Sequence, residues 1–449
     1  MRLLLVLFSL AALAPGQEAG RRDAVAAECA RITATIEKYL GKKFEQPVPV
    51  EVVTRKWMTD YARRASRELM SAEQAATTSR LLARLRQVPA GYDVEARMFD
   101  MLEEGILGLY DPEKDTYFVS RDVGGPGAPM FTITATHELV HAYRDVDKDY
   151  HARMLRLLQE DSDGSFAVRC LVEGDAWLLG EGLGRAHFGT GVEAGAMVRA
   201  YARQAKAVSV QMFAMLADPP AGRYPRVVSE AMIGPYAAGV VFAAAVFEKG
   251  GIEALEAAYD EPPRSTEQVL HPEKYLAAEP DEPVVFAGGD PAAALGTGWR
   301  TTYASSWGEF DARVFFTTAF GSRRTARSIA AGWDGARLWF CENKGGGTPF
   351  VGMVSTWDTE RDAAEFAHAW AAWAAARDAA PEERAPFVFS SGEARAKYRV
   401  ETKEGLVAVR VEGRDVLVAD GAPAARLERV LAAMASARRA ERGPDAGGS

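Results

Sequence analysis

A histidine, a glutamate, two apolar residues and a second histidine follow one another as His137-Glu138-Leu139-Val140-His141, and no other stretch restricts the fold as strongly. On an α-helix, residues four apart lie one turn apart on the same face. Two imidazoles at that spacing can aim at one point, as tetrahedral zinc requires. Glu138 is turned toward the side where an activated water would sit, the arrangement of a zinc hydrolase with a carboxylate base. The chain has only six histidines in 449 residues, so this pairing rarely arises by accident. The neighbours Thr134, Ala135, Thr136, Leu139, Val140, Ala142 and Tyr143 carry no charge. A solvated helix would carry several charges there, so the pattern predicts a helix threaded through the middle of a domain.

Catalytic zinc takes three protein ligands and leaves one position for water. The metzincin continuation, a glycine and then a third histidine, is not met: Arg144 and Asp147 occupy those positions. Asp147 stays a minor candidate. The main candidate is Glu173, within Cys170-Leu171-Val172-Glu173-Gly174-Asp175-Ala176-Trp177. A carboxylate in such apolar company needs a partner charge, because burying it unpaired costs several kcal/mol. A dication would supply one. Asp175, two residues on, faces away from Glu173 on a helix and reads as a structural polar contact or a support for a ligand imidazole.

These segments resemble the gluzincin-type zinc metallopeptidases. The resemblance rests on His137 to His141 and on Leu171-Val172-Glu173-Gly174-Asp175-Ala176. It extends to Gly108-Leu109-Tyr110-Asp111-Pro112 with Asp115 to Val119, and to the run Pro262 to Tyr275, which is similar to one in uncharacterised secreted bacterial members. It spans roughly residues 45 to 280. It implies a mainly helical α+β core with a small sheet, and a strand at 116 to 120 on the sheet edge beside the cleft. It also implies His137, His141 and Glu173 as ligands of Zn2+, with Glu138 as general base. The thermolysin pattern has an aspartate four residues after the glutamate ligand; here Trp177 stands there, so that enzyme's specificity does not carry over.

The length allows two or three domains. Hydrophobic residues at 48% fit a packed protein, and a net charge of −9 argues against a nucleic-acid partner. Residues 1–16 pair one arginine with a short apolar run and a small-residue end, the pattern of a signal peptide for secretion or periplasmic export. Three cysteines, Cys29, Cys170 and Cys341, allow at most one disulfide and are expected to be free and buried.

Val25, Ile32, Ile36 and Leu40 share one face of a helix over 21–40. A strand is expected at 48–53 and helices at 55–71, 73–86 and 94–107. Asp111 to Asp115 is a turn, and 124–129 is a glycine-proline loop opening onto the motif helix. The apolar run 231–247 is shorter than a membrane span and reads as a core helix beginning after Pro235. Tyr236 near that helix start, and His271, are the two candidates to steady an oxyanion. From about residue 281, a Gly288-Gly289-Asp290-Pro291 linker leads to a smaller α+β domain over 281–437. Its strands are read around 338–341, 350–354, 406–411 and 416–419, with helices at 322–331, 359–377 and 422–438. The tail 438–449 is charged and glycine-rich and reads as disordered.

The expected protein is therefore a secreted zinc metalloendopeptidase, with a catalytic domain over 17–280 acting on peptide or protein substrates. Two other functions fit the same residues: a binding module with a structural zinc, and a zinc hydrolase of non-peptide amides.

Overall fold

The computed structural model of the chain describes residues 15–148, 150, 154, 157, 161–188, 192–215, 223–379, 386–390 and 395–440. The first half runs α1 (Pro15–Leu40), β1 (Val50–Val53), α2 (Arg55–Leu69), α3 (Ala72–Arg84), α4 (Val94–Gly105), β2 (Gly108–Asp111) and β3 (Thr116–Ser120). It continues through α5 (Pro129–Lys148), α6 (Ser162–His187), α7 (Ala194–Ala202), α8 (Ala205–Met215) and α9 (Arg226–Asp260). Short helices α10 (Thr266–Leu270) and α11 (Pro272–Tyr275) lead into β4 (Val285–Ala287), α12 (Ala292–Leu295), β5 (Trp299–Ser306), α13 (Glu309–Phe320) and α14 (Arg323–Ala330). The chain finishes with β6 (Trp333–Asn343), β7 (Phe350–Trp357), α15 (Glu360–Ala376), β8 (Lys397–Thr402), β9 (Gly405–Glu412), β10 (Asp415–Asp420), α16 (Leu427–Ala435) and β11 (Arg438–Ala440). The class is α+β, as expected.

Three helices, α5, α6 and α9, form the centre of the first half. Proline opens α5, where its missing N–H costs nothing. Asp161 caps α6 by accepting the Gly164 amide. The buried faces meet through Phe131, Ala135 and Leu139 of α5, Cys170, Leu171 and Leu178 of α6, and Val240 and Phe242 of α9. The α1 face of Val25, Ile32, Ile36 and Leu40 joins this core. Where α6 crosses α9, the backbones touch: a Cβ at Gly174 would sit 2.1 Å from the Gly239 carbonyl oxygen. Glycine at both positions is what lets α6 lie so close.

The small sheet has the order β1-β3-β2. β1 pairs with β3 in parallel, and β2 pairs with β3 antiparallel. The strand at 116–120 is therefore the centre of the sheet and not its edge, which corrects the expectation. All five of its residues are buried, as a strand flanked on both sides requires. The edge next to α5 is β2.

A second correction concerns Pro235. It lies inside α9, which begins at Arg226 just after Pro225, and does not precede the helix. An interior proline weakens a helix, but here the long contact with α6 outweighs that local preference. The helix breaks later, at Gly250 and Gly251, where Gly251 has φ +71°. Among the described residues, α9 is the helix long and apolar enough to cross a membrane, and about two thirds of its apolar window is buried inside the protein (67%).

The second half is built on a six-stranded antiparallel sheet, β5-β6-β7-β10-β9-β8. Helices α13, α14 and α15 cover one face around Phe316, Trp357, Phe366 and Trp370. The other face packs on α16 and β4 through Phe286, Leu431 and Met434. The strands read at 338–341, 350–354, 406–411 and 416–419 all lie in this sheet, while α13, β5 and β8 were not foreseen. Gly288 to Pro291 is not the entry to this unit, because β4 precedes it and pairs with β11. That pairing also corrects the tail: 438–440 is a strand, and 441–449 lie outside the described residues. The expected signal peptide lies outside them too, apart from Pro15 and Gly16 at the start of α1. All three cysteines are free and buried, and burial pushes the Cys29 and Cys341 thiols up to about 12.

Candidate metal centre

The motif lies in α5 as its spacing predicts, with both imidazoles on one face. Their Nε2 atoms are 3.1 Å apart and the rings are nearly perpendicular, at 89°. Glu173 comes from the facing helix α6. Its Oε2 is 3.4 Å from His137 Nε2 and 3.5 Å from His141 Nε2. The ligand atoms of the three residues all lie within 4.8 Å of one another. The side chains of His137, His141 and Glu173 are only 13%, 11% and 14% exposed. Glu173 Oε2 is buried and makes no hydrogen bond of ordinary geometry, with the two imidazoles as its neighbours. A buried carboxylate oxygen without such a bond is costly unless a cation or proton meets it. Burial alone would raise this carboxyl, but the two imidazoles beside it outweigh that and hold it well below the usual carboxylate range.

The helix contact that makes this convergence possible is again glycine-dependent. A Cβ at Gly180 of α6 would be 3.2 Å from the Cβ of His137, so α5 and α6 approach almost backbone to backbone beside that histidine.

Glu138, the next residue along α5, lies under β2 within reach of the charges of His137 and Glu173. It accepts a hydrogen bond from the Tyr110 amide at 2.8 Å. A side chain at Gly108 would run into it, with a Cβ 2.9 Å from Glu138 Cγ. Burial pushes the Glu138 carboxyl up to about 7, with the charge of Glu173 adding to the rise and His137 and the Tyr110 amide opposing it. A carboxyl poised near neutrality is suited to taking and returning a proton.

Aromatic rings enclose the trio. Tyr236 stacks on His137, with ring centroids 6.0 Å apart at 28°. Burial, and then the charge of the nearby Glu173, raise the phenol well above its usual range, so it stays a hydrogen-bond donor. Trp177, at the position of the departure noted above, packs edge-on against both His137 and Tyr236 and donates from Nε1 to the Tyr201 hydroxyl at 2.7 Å.

Residues 284–431 match the family model described as Domain of unknown function (DUF8575). No curated protein and no solved structure matches the chain. The matched segment coincides with the six-stranded sheet and its helices and contains none of the trio.

Of the residues singled out from the sequence, the structure brings together His137, Glu138, His141, Glu173 and Tyr236. His271 lies elsewhere: its Nε2 is 3.2 Å from Glu309 and 3.1 Å from Arg313, both on α13, and its Nδ1 is 3.6 Å from Glu273. Its nitrogens are engaged at the junction of the two halves. Asp175 is the structural contact, accepting from Arg144 Nε at 2.8 Å. Asp147 lies in α5, but its side chain is outside the described residues. Sequence reasoning missed Tyr150, a buried ring 6.4 Å from His141, and the Tyr110 amide on Glu138. Gly108 was the available signal for the latter, since a glycine within a strand marks a close approach.

Proposed function

We propose that the chain is a zinc-dependent metallopeptidase of gluzincin type, exported from the cell, that hydrolyses peptide bonds. The observation that carries this reading is the meeting of His137, His141 and the buried Glu173 carboxylate beside a glutamate held near neutrality. Two imidazoles and one carboxylate are a donor set that suits zinc with a position left for water. When bound there, zinc supplies Lewis-acid activation of water and of a carbonyl oxygen.

The rest is done by the chain's own side chains. His137, His141 and Glu173 hold the ion. The Glu138 carboxylate takes a proton from the attacking water and delivers it to the leaving amine nitrogen. The Tyr110 amide and the close passage of Gly108 fix its orientation. The neutral Tyr236 hydroxyl donates to the carbonyl oxygen as negative charge develops on it. An ion with a purely structural role would leave the half-buried Glu138 without a task.

The test is metal analysis of the purified chain together with a diverse peptide library, for wild type and Glu138→Gln. The expected result is about one zinc per chain in both proteins, with cleavage by wild type alone. Absence of cleavage by wild type, or equal cleavage by the variant, overturns the proposal.

A further inference from the structure

The two halves are joined by a helix that belongs to one and is gripped by the other. Helix α3 is an independent segment in local terms: Ser71 and Gln74 form a complete capping box at its start. At its end, Arg86 takes a positive φ of +57°, which turns the chain sharply. One face of α3 then enters the second half. Leu81 and Leu85 lie in the same core cluster as Phe316, Trp370, Val407 and Val418.

Around these leucines the arginines of α3 are met by acidic groups of the second half. Arg84, 4% exposed, reaches Asp420, which is fully buried, and also bonds Glu404 at 2.8 Å and the Pro349 carbonyl at 3.1 Å. Asp420 is held from its other side by Arg377 at 2.6 Å. At the rim, Arg80 makes a two-pronged contact with Glu342, Nε to Oε1 at 2.7 Å and Nη2 to Oε2 at 3.0 Å. Arg86 closes the set on Glu404 at 2.9 Å. Gly421 leaves the space for the Arg84 guanidinium, as a Cβ there would lie 3.2 Å from Nη2.

A buried carboxylate held by an internal arginine, with a two-pronged glutamate beside it, presents acidic groups at the spacing of one helical turn. Isolated surface ion pairs contribute little, but desolvated and two-pronged ones impose geometry. Arginines one turn apart, with leucines beside them, are the complement. We infer that the domain at 284–431, which has no assigned role, is a receptor for an arginine-bearing amphipathic helix, and that α3 fills it within the same chain. The inference stands apart from the metal reading, because none of these residues belongs to the trio.

Amide hydrogen exchange on the full chain tests it at the rim pair, where substitution spares the buried Asp420. Arg80 also bonds Glu73 at 2.8 Å and Thr77 at 2.9 Å within α3, so Arg80→Glu is read against the paired variant, which restores only the contact across to residue 342. In Arg80→Glu the α3 amides are expected to exchange at least about tenfold faster while β6, β7 and β10 keep their protection. Adding Glu342→Arg to that variant is expected to restore α3. Unchanged α3 protection in the single variant overturns the inference. So does loss of protection across the whole second half in step with α3, or failure of the paired substitution to restore it.

Discussion

Arg144 and Asp175 meet across α5 and α6 through a 2.8 Å bond from Nε to Oδ2, with side chains only 2% and 0% exposed. Each sits just past a residue of the trio, three positions after His141 and two after Glu173. The Tyr259 hydroxyl of α9 adds a bond to the same Asp175 oxygen at 3.1 Å. The three helices that form the site are thus pinned to each other one turn below it.

Removing one member leaves a buried charge without its partner. Arg144→Leu is expected to lower unfolding free energy by about 3–5 kcal/mol, read as a lower urea midpoint. The same substitution should weaken zinc binding, because the register of α5 against α6 sets the distance from Glu173 to the imidazoles. Unchanged stability would show that the pair does not hold the helices.

The backbone contact between Gly174 and Gly239 gives a second prediction. A methyl group at Gly174 would be 2.1 Å from a carbonyl oxygen and 2.2 Å from its carbon, both main-chain atoms that cannot rotate away. Gly174→Ala is expected to cost about 1–3 kcal/mol or more through overpacking, seen as a drop in melting temperature. A chain that melts at the wild-type temperature would mean the crossing is looser than this geometry.

The parts of the site that could be read in advance are those whose information is local. His137, Glu138 and His141 needed only the helical repeat and three residue types. Glu173 needed its apolar neighbours and the likeness of its segment to the gluzincins. His271 could not be placed in this way, since nothing within the run 262–275 says that its ring turns to Glu309 and Arg313. The order of the small sheet was hidden for the same reason. Alternation marks 116–120 as a strand, but its parallel neighbour β1 comes from far upstream. Helix α13 escaped notice because Val314, Phe315, Phe316, Thr317 and Thr318 favour strands, and only burial against the sheet makes them helical. Pro235 misled in the opposite sense: a local breaker was overridden by packing.

Asp163 gives a prediction about pH. It is buried at the start of α6 and accepts bonds from the Thr266 amide at 3.1 and 3.2 Å and from the Thr266 hydroxyl at 2.5 Å. Burial pushes its carboxyl up to about 8; the Thr266 bonds oppose the rise and the charge of Asp311 adds to it. In the unfolded chain the group titrates near about 3.9. Between these values the folded chain binds the extra proton, so the stability contributed is full below about pH 4 and is lost as pH rises through about 8. Urea midpoints of chelator-treated protein should therefore fall between pH 5 and pH 8, a window chosen from these two values. Asp163→Asn should flatten that fall. An equally steep fall in the variant would assign it to other groups.

Tyr236 and His271 were equal candidates in the sequence and occupy different places in the structure, so paired variants separate them. Tyr236 stacks on His137 and keeps its proton at neutral pH. Loss of one donor to a developing oxyanion costs about 10²–10³ in kcat. Tyr236→Phe is expected to show a loss of that size with zinc content unchanged, since the ring and its packing remain. His271→Asn is expected to leave kcat at the wild-type level and to lower stability, because it removes a partner from Glu309, which is fully buried. Measuring kcat, KM and bound zinc for both variants decides the matter. A kcat loss confined to His271→Asn would reverse the assignment and place the oxyanion donor at the junction of the two halves.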